Sequence, residues 1–220
     1  MRLLARGARA LSFCAVFALA AAAAPVLTAA QSGCDRTAVG VDTSLAHDQN
    51  ALFHGDAIGQ TFVARETLIT SITVWRPAWV DTSYAGLHIY LLSADSTGHP
   101  NLSDILQDGP TLFNLYGDGV HPVPYRFVFD PPITLPAPGR YHFAIQTDPC
   151  DGVFYFPLNP VNAYPDGGTW WYAQSFSSPC HLRPNPVDNG TVDLAFEVEF
   201  CGPVTPAHRP TWGEVKAAYR

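Results

Sequence analysis

Tyr155, Tyr164, Trp170, Trp171 and Tyr172 crowd one stretch of the chain, bounded by Cys150 and Cys180. Such rings suit carbohydrate: the apolar face of a pyranose stacks on an indole or phenol, while Asp, Asn and Gln accept hydroxyl hydrogens. Asp166 is the polar partner in the same stretch. Within "GTWWYAQ", strand alternation points Trp170 and Tyr172 to one side and Trp171 to the other. At least one large ring then faces away from the core. The competing reading is that the rings simply pack, since burying aromatics is what cores do.

A second group lies upstream. In "LITSITVWRP", alternation puts Leu68, Thr70, Ile72 and Val74 on one side and Ile69, Ser71, Thr73 and Trp75 on the other. Trp75 is a large ring on the mostly polar face, covered by this chain or open to a ligand. His88 and Tyr90 oppose Leu87, Ile89 and Leu91, and His142 opposes Tyr141, Phe143 and Ile145. If these strands are neighbours, the two imidazoles join Tyr90 and Trp75 on one surface, where they would bind metal or sugar hydroxyls. The ligand-binding residues expected from the sequence are therefore Trp75, Tyr90, Trp170, Trp171, Tyr172 and Asp166.

Catalytic patterns are missing. The chain has no H-E-x-x-H, no G-x-S-x-G, no phosphate-cradling loop and no dinucleotide fingerprint. Glu197 and Glu199 stand roughly 7 Å apart on one face of a strand. A glycosidase needs its carboxylates across a cleft, so this pair reads as a solvated face. No cofactor and no catalytic metal are expected. The Asp118-Gly119, Asp151-Gly152, Asp166-Gly167 and Asp188-Asn189-Gly190 corners are candidates for a structural calcium, although Asp and Gly are also default turn residues.

The elements that must position these groups are strands. "AIGQTFVA", "LITSITVW", "GLHIYLLSA", "YRFVFD", "GRYHFAIQT", "GVFYFPL", "GTWWYAQ" and "VDLAFEVEF" follow one another, rich in β-branched and aromatic residues. Turn clusters separate them, punctuated by 20 prolines and 17 glycines. The expected fold is all-β, an antiparallel jelly-roll-like β-sandwich. After it, "GPVTPAHRP" is a stiff Pro-rich linker. "TWGEVKAAYR" carries a capping box of Thr211 and Glu214, with Trp212, Val215 and Tyr219 on one face. A short C-terminal helix is expected over residues 211–220, docked on its own domain or on a surface or export partner.

Arg2, Arg6 and Arg9 precede an apolar run that ends at "TAAQS", the pattern of a secretory signal. The expected organisation is a signal peptide at 1–30, a sandwich domain at 31–202 and a linker with amphipathic segment at 203–220. No later segment is long and apolar enough to span a bilayer. Without the signal, nine basic residues face nineteen acidic ones. That charge argues against nucleic acid and against anionic lipid. Cys34, Cys150, Cys180 and Cys201 allow three disulfide connectivities, of which Cys34–Cys201 and Cys150–Cys180 are favoured. A zinc site is the competing reading, disfavoured because no C-x-x-C pair exists.

The order of "GQTFVA", "ITSITVW", "LHIYLLSADSTGHPN", "YRFVFDPPITLPAPGRYHFAIQTDPCDG" and "FEVEFC" resembles secreted bacterial β-sandwich modules of the choice-of-anchor type, over most of residues 55–200. The resemblance implies architecture and assigns no binding residue. The function expected is an exported, non-catalytic binding module for carbohydrate or another cell-envelope ligand. The alternative is a surface-assembly protein docked through its C-terminal segment, with an enzyme a distant third.

Overall fold

The computed structural model describes residues 34–46, 48–53, 56–78, 86–113, 115–148, 152–172, 182, 186–190 and 192–202. Residues 1–33, where a signal peptide is expected, Cys150 and Cys180, expected to pair, and the C-terminal segment 203–220 lie outside the described residues. Those described form thirteen strands and one 3-10 turn at Thr43–Leu45.

All pairings are antiparallel, in three sheets. The four-stranded sheet runs in the order β1 (Asp35–Val41), β13 (Phe196–Gly202), β4 (Leu68–Arg76), β7 (Val123–Thr134). The six-stranded sheet runs β11 (Val187–Asp188), β10 (Thr169–Tyr172), β3 (Ala57–Ala64), β8 (Gly139–Asp148), β5 (Gly86–Ala94), β6 (Pro100–Leu112). The third runs β12 (Asp193–Leu194), β9 (Val153–Asn159), β2 (Asp48–Phe53). One apolar cluster joins all three, which makes the fold sandwich-like. Phe62 of β3 meets Phe143 of β8 at 6.2 Å and Phe200 of β13 at 6.3 Å between ring centroids, so the two larger sheets touch through rings.

Period-two alternation holds in β7, where Tyr125, Phe127 and Phe129 are buried and Arg126 and Val128 are exposed. It fails in β4. Ile69, expected on the outer face, is fully buried in the core with Ile72 and Val74. The register against β7 shifts between Ile69 and Ser71. One extra residue there turns everything before it to the other face. The inserted Thr70 donates its hydroxyl to the Glu199 carbonyl at 3.2 Å. The stretch read as one last strand is two: β12 pairs with β9, and after Ala195 the chain crosses to join β1 and β4 as β13. Cys34 and Cys201 are bonded, with Cα atoms 5.2 Å apart, fastening the start of β1 to the end of β13.

The "GQTF" stretch explains itself in β3. Gly59 lies so close to the His142 ring and the Phe143 carbonyl that any Cβ would collide with both. Gln60 is fully buried. Its Nε2 donates to Asp193 Oδ1 at 2.9 Å, while its Oε1 accepts from Thr169 Oγ1 at 2.8 Å and Leu194 N at 3.0 Å. One amide thereby ties β3 to β10 and β12. Gln60→Leu keeps the volume but strands three buried groups. A loss of about 3 kcal/mol in urea-unfolding free energy is expected, and a loss below about 1 kcal/mol would show that the amide is dispensable.

Candidate functional site

The six-stranded sheet turns one face to the core and one outward. Ile58, Ile89 and Ile145 mark the inward face. On the outward face the registers align Asp188, Trp170, Gly59, Ala144, Tyr90 and Asp108 in a single row, one residue from each strand. Trp170 and Tyr90 thus share a surface, roughly 14 Å apart by strand spacing, with two small residues between them and a carboxylate beyond each.

The space between the rings is filled from within. His142 leans over Gly59, and Tyr172 packs beside it with Ala57, Leu92 and Ala144. The Thr61 hydroxyl donates to the Gly98 carbonyl at 2.7 Å, so its oxygen accepts from His142 Nδ1–H at 3.2 Å. His142 Nε2 then accepts from the Tyr172 hydroxyl at 2.8 Å. Burial, reinforced by His99, pushes the His142 pKa down to about 3. Burial likewise raises that of Tyr172. Both are neutral at pH 7.

Tyr172 is fully buried, which corrects its expected place in a ligand surface. Its hydroxyl serves His142, and no ring face is open for stacking. Trp171 is half-buried like Trp170, but it stands opposite Ile58 on the inward side of the sheet and packs against the main core, away from the outward row. Trp75 is half-buried on the outer face of β4, opposite Pro124, in the other large sheet. It does not join Tyr90, because β4 and β5 pair into different sheets. The Tyr164 hydroxyl accepts from Val63 N at 3.0 Å, and its ring edge meets Phe196.

Trp170 remains. Its half-buried indole lines a cleft of about 190 Å³ with Thr61, Thr97, Arg140 and Asp188, floored by glycine backbone. Gly167 is pressed against the Thr61 carbonyl, an approach only a residue without Cβ permits. His99 packs edge-on to Trp170 at 4.9 Å. Asp166 reaches this place through its backbone: its carbonyl accepts from Arg140 Nη1 at 2.9 Å. The cleft offers one aromatic face, one guanidinium and one carboxylate, a set that orients a polar ring ligand. Arg140, Thr97 and His99 were missed by sequence reasoning. Their only signal was the "STGHPN" turn and the polar phase of "GRYHFAIQT".

At the far end of the row, Tyr90 and His88 meet edge-on at 4.5 Å. His88 is held between Thr111 Oγ1 at 2.8 Å and Asp108 Oδ1 at 2.6 Å. Burial and the charges of Asp108 and Asp148 raise the Tyr90 pKa. Glu199 is engaged by Arg126 and by the Ser71 hydroxyl. The corner aspartates close their own turns: Asp118 Oδ1 accepts from the backbone of Val120 and His121, and Asp188 Oδ1 from Gly190. Among the described residues no three His, Cys, Asp or Glu side chains gather as a metal site.

Fold and site together define a disulfide-fastened, sandwich-like all-β domain with a polar cleft walled by one tryptophan. No family model matches the chain, and no curated protein matches it.

Proposed function

We propose that the protein is an exported, jelly-roll-like module that binds carbohydrate or a related cell-envelope ligand without acting on it, and that the Trp170 cleft is where it binds. The observation that carries this reading is the half-buried Trp170 indole beside Arg140 and Asp188. A sugar ring laid on the indole would place hydroxyls, or a uronic carboxylate, against the two charges. The Cys34–Cys201 bond fits an oxidising compartment. The surface-assembly alternative rests on residues 211–220, which lie outside the described residues.

Screening on an array of neutral and uronic-acid oligosaccharides tests the proposal. Trp170→Ala and Arg140→Ala are each expected to weaken binding about tenfold or more, the equivalent of 1.4 kcal/mol. Trp171→Ala is the contrasting variant: it removes a ring packed against the core, so it lowers the melting temperature and leaves glycan binding by the folded fraction intact. Wild-type affinity in Trp170→Ala would remove the cleft from consideration.

A further inference from the structure

The two larger sheets end side by side at β6 and β7, the outermost strand of each. Between them lies a groove of about 630 Å³, walled by Leu106–Pro110 on one side and Val128–Thr134 on the other. A register shift shapes the β7 wall. Val128 stands opposite Ser71 and Ile133 opposite Ile69, so Phe129, Asp130, Pro131 and Pro132 have no partner in β4. Val128 is 57% exposed, a large apolar side chain on the groove with nothing seated on it among the described residues. Ile105, beside Leu106 at the start of the β6 wall, is exposed as well.

An open sheet edge invites another strand. These walls are poorly made for one. Pro131 and Pro132 donate no N–H, nor does Pro110 opposite, and the register of β6 along β5 is interrupted three times. What fits is a set of side chains, apolar towards the prolines and Val128 and basic towards the rims. Asp130 is exposed on one rim and makes no ion pair among the described residues. Asp108 is exposed on the other and meets His88 through one oxygen.

Residues 211–220 carry such a set. Trp212, Val215 and Tyr219 recur at helical spacing, and Lys216 and Arg220 stand one turn apart beside them. Across residues 203–220 three Lys or Arg residues face one acidic residue, in a chain of net charge -7. The reach is sufficient. Phe200 lies opposite Ile69, and Ile69 opposite Ile133, so β13 ends about two strand spacings, roughly 10 Å, from the groove. Residues 203–210, rich in proline, span about 25 Å when extended. A helix over 211–220 is about 15 Å long, and the β6 wall from Leu106 to Pro110 about 13 Å.

We propose that residues 211–220 fold back as a helix into the groove between β6 and β7 of their own chain. Trp212, Val215 and Tyr219 then cover Val128 and the prolines, while Lys216 and Arg220 turn to Asp130 and Asp108. The groove lies at the opposite edge of the six-stranded sheet from the Trp170 cleft, so the docked segment leaves that cleft open.

Fluorine NMR of residues 31–220 labelled with fluorotryptophan is the test, with Trp212→Phe assigning the Trp212 resonance. That resonance should be shielded from solvent, its frequency almost unchanged between light and heavy water. Val128→Asp alters an exposed side chain, so the domain keeps its fold. It should give Trp212 the full solvent shift of an exposed indole and leave the Trp170 and Trp171 resonances in place. Lys216→Glu should loosen the segment in the same way, and adding Asp130→Lys should restore the shielding. The proposal is overturned if Trp212 shows the full solvent shift in the wild type, because the segment is then free for a partner. It is overturned if neither Val128→Asp nor Lys216→Glu exposes a shielded Trp212, because the segment is then seated elsewhere. Shielding that is lost on dilution also overturns it, because the groove then holds the segment of a second copy.

Discussion

Acidification from pH 6.5 to pH 3 is expected to remove as much as about 5 kcal/mol of folding stability through His142 alone. In the unfolded chain this imidazole takes up a proton near its ordinary pKa of 6.5, whereas in the fold burial, then His99, holds it down to about 3. The unfolded state therefore binds more protons between these limits, and stability falls with pH across that window at about 1.4 kcal/mol per unit. Above pH 6.5 the full contribution is present; below pH 3 it is gone. The hydrogen bonds point the same way, because Nε2 is already the acceptor for Tyr172 and protonation would set donor against donor. Asp193 acts with the opposite sign. Burial raises its pKa, so it favours the fold on the acid side and is lost as pH rises. Urea unfolding from pH 7.5 to 4 measures the sum. His142→Asn isolates the imidazole: its stability curve should be shallower than wild type by about 1.4 kcal/mol per pH unit between pH 6 and 4. Parallel curves would mean that His142 titrates normally in the folded protein.

The all-β architecture was legible because buried strands leave a period-two signature, and β7 kept it from Val123 to Asp130. The bulge at Thr70 was not, since one inserted residue changes phase without changing composition. The aromatic stretch was legible as a cluster and illegible as a surface. Alternation separated Trp171 from Trp170 and Tyr172 correctly. It could not show that Gly59, two strands from β5, would leave room for His142 and so bury Tyr172. That depends on which strands pair, which is long-range information. Trp75 fails for the same reason: its outward phase was read, but β4 and β5 are consecutive in sequence and belong to different sheets.

The outward row also shows why the cleft formed at one end of the sheet. Small residues at Gly59 and Ala144 would leave a trough between Trp170 and Tyr90 if their neighbours were also small. His142 and Tyr172 occupy it instead, each satisfying the other's polar atom. What remains open is the margin beyond Trp170, where β10 meets the two-residue β11 and the glycine-rich turns leave backbone rather than side chains as the floor. Rigid sheet on one side and loop on the other is a common placement for a binding site.

Removing the Cys34–Cys201 bond is expected to cost a similar amount to acidification, about 5 kcal/mol. The bond closes a loop with a sequence separation of 167 residues. In the chain-entropy account, a loop of that size restricts the unfolded state by about 5 kcal/mol at 25 °C. The folded state gives the bond a second task. Among the described residues β1 is an edge strand with β13 as its one pairing partner, and Asp35, Arg36, Thr37 and Ala38 are all exposed. Val39 and Val41 supply its contact with the core. So little apolar burial holds an edge strand weakly, and the covalent link is what keeps its first turn of backbone hydrogen bonds in register. The double variant Cys34→Ser, Cys201→Ser should therefore melt about 10–20 °C below wild type. Its β1 amides should also exchange hydrogen faster than those of β4, at temperatures where the rest of the domain is still folded. Cys150 and Cys180 are left unchanged in both proteins, so the difference belongs to this bond. A melting temperature within about 2 °C of wild type would show that β13 alone retains β1 and that the unfolded chain gains no freedom from the loss.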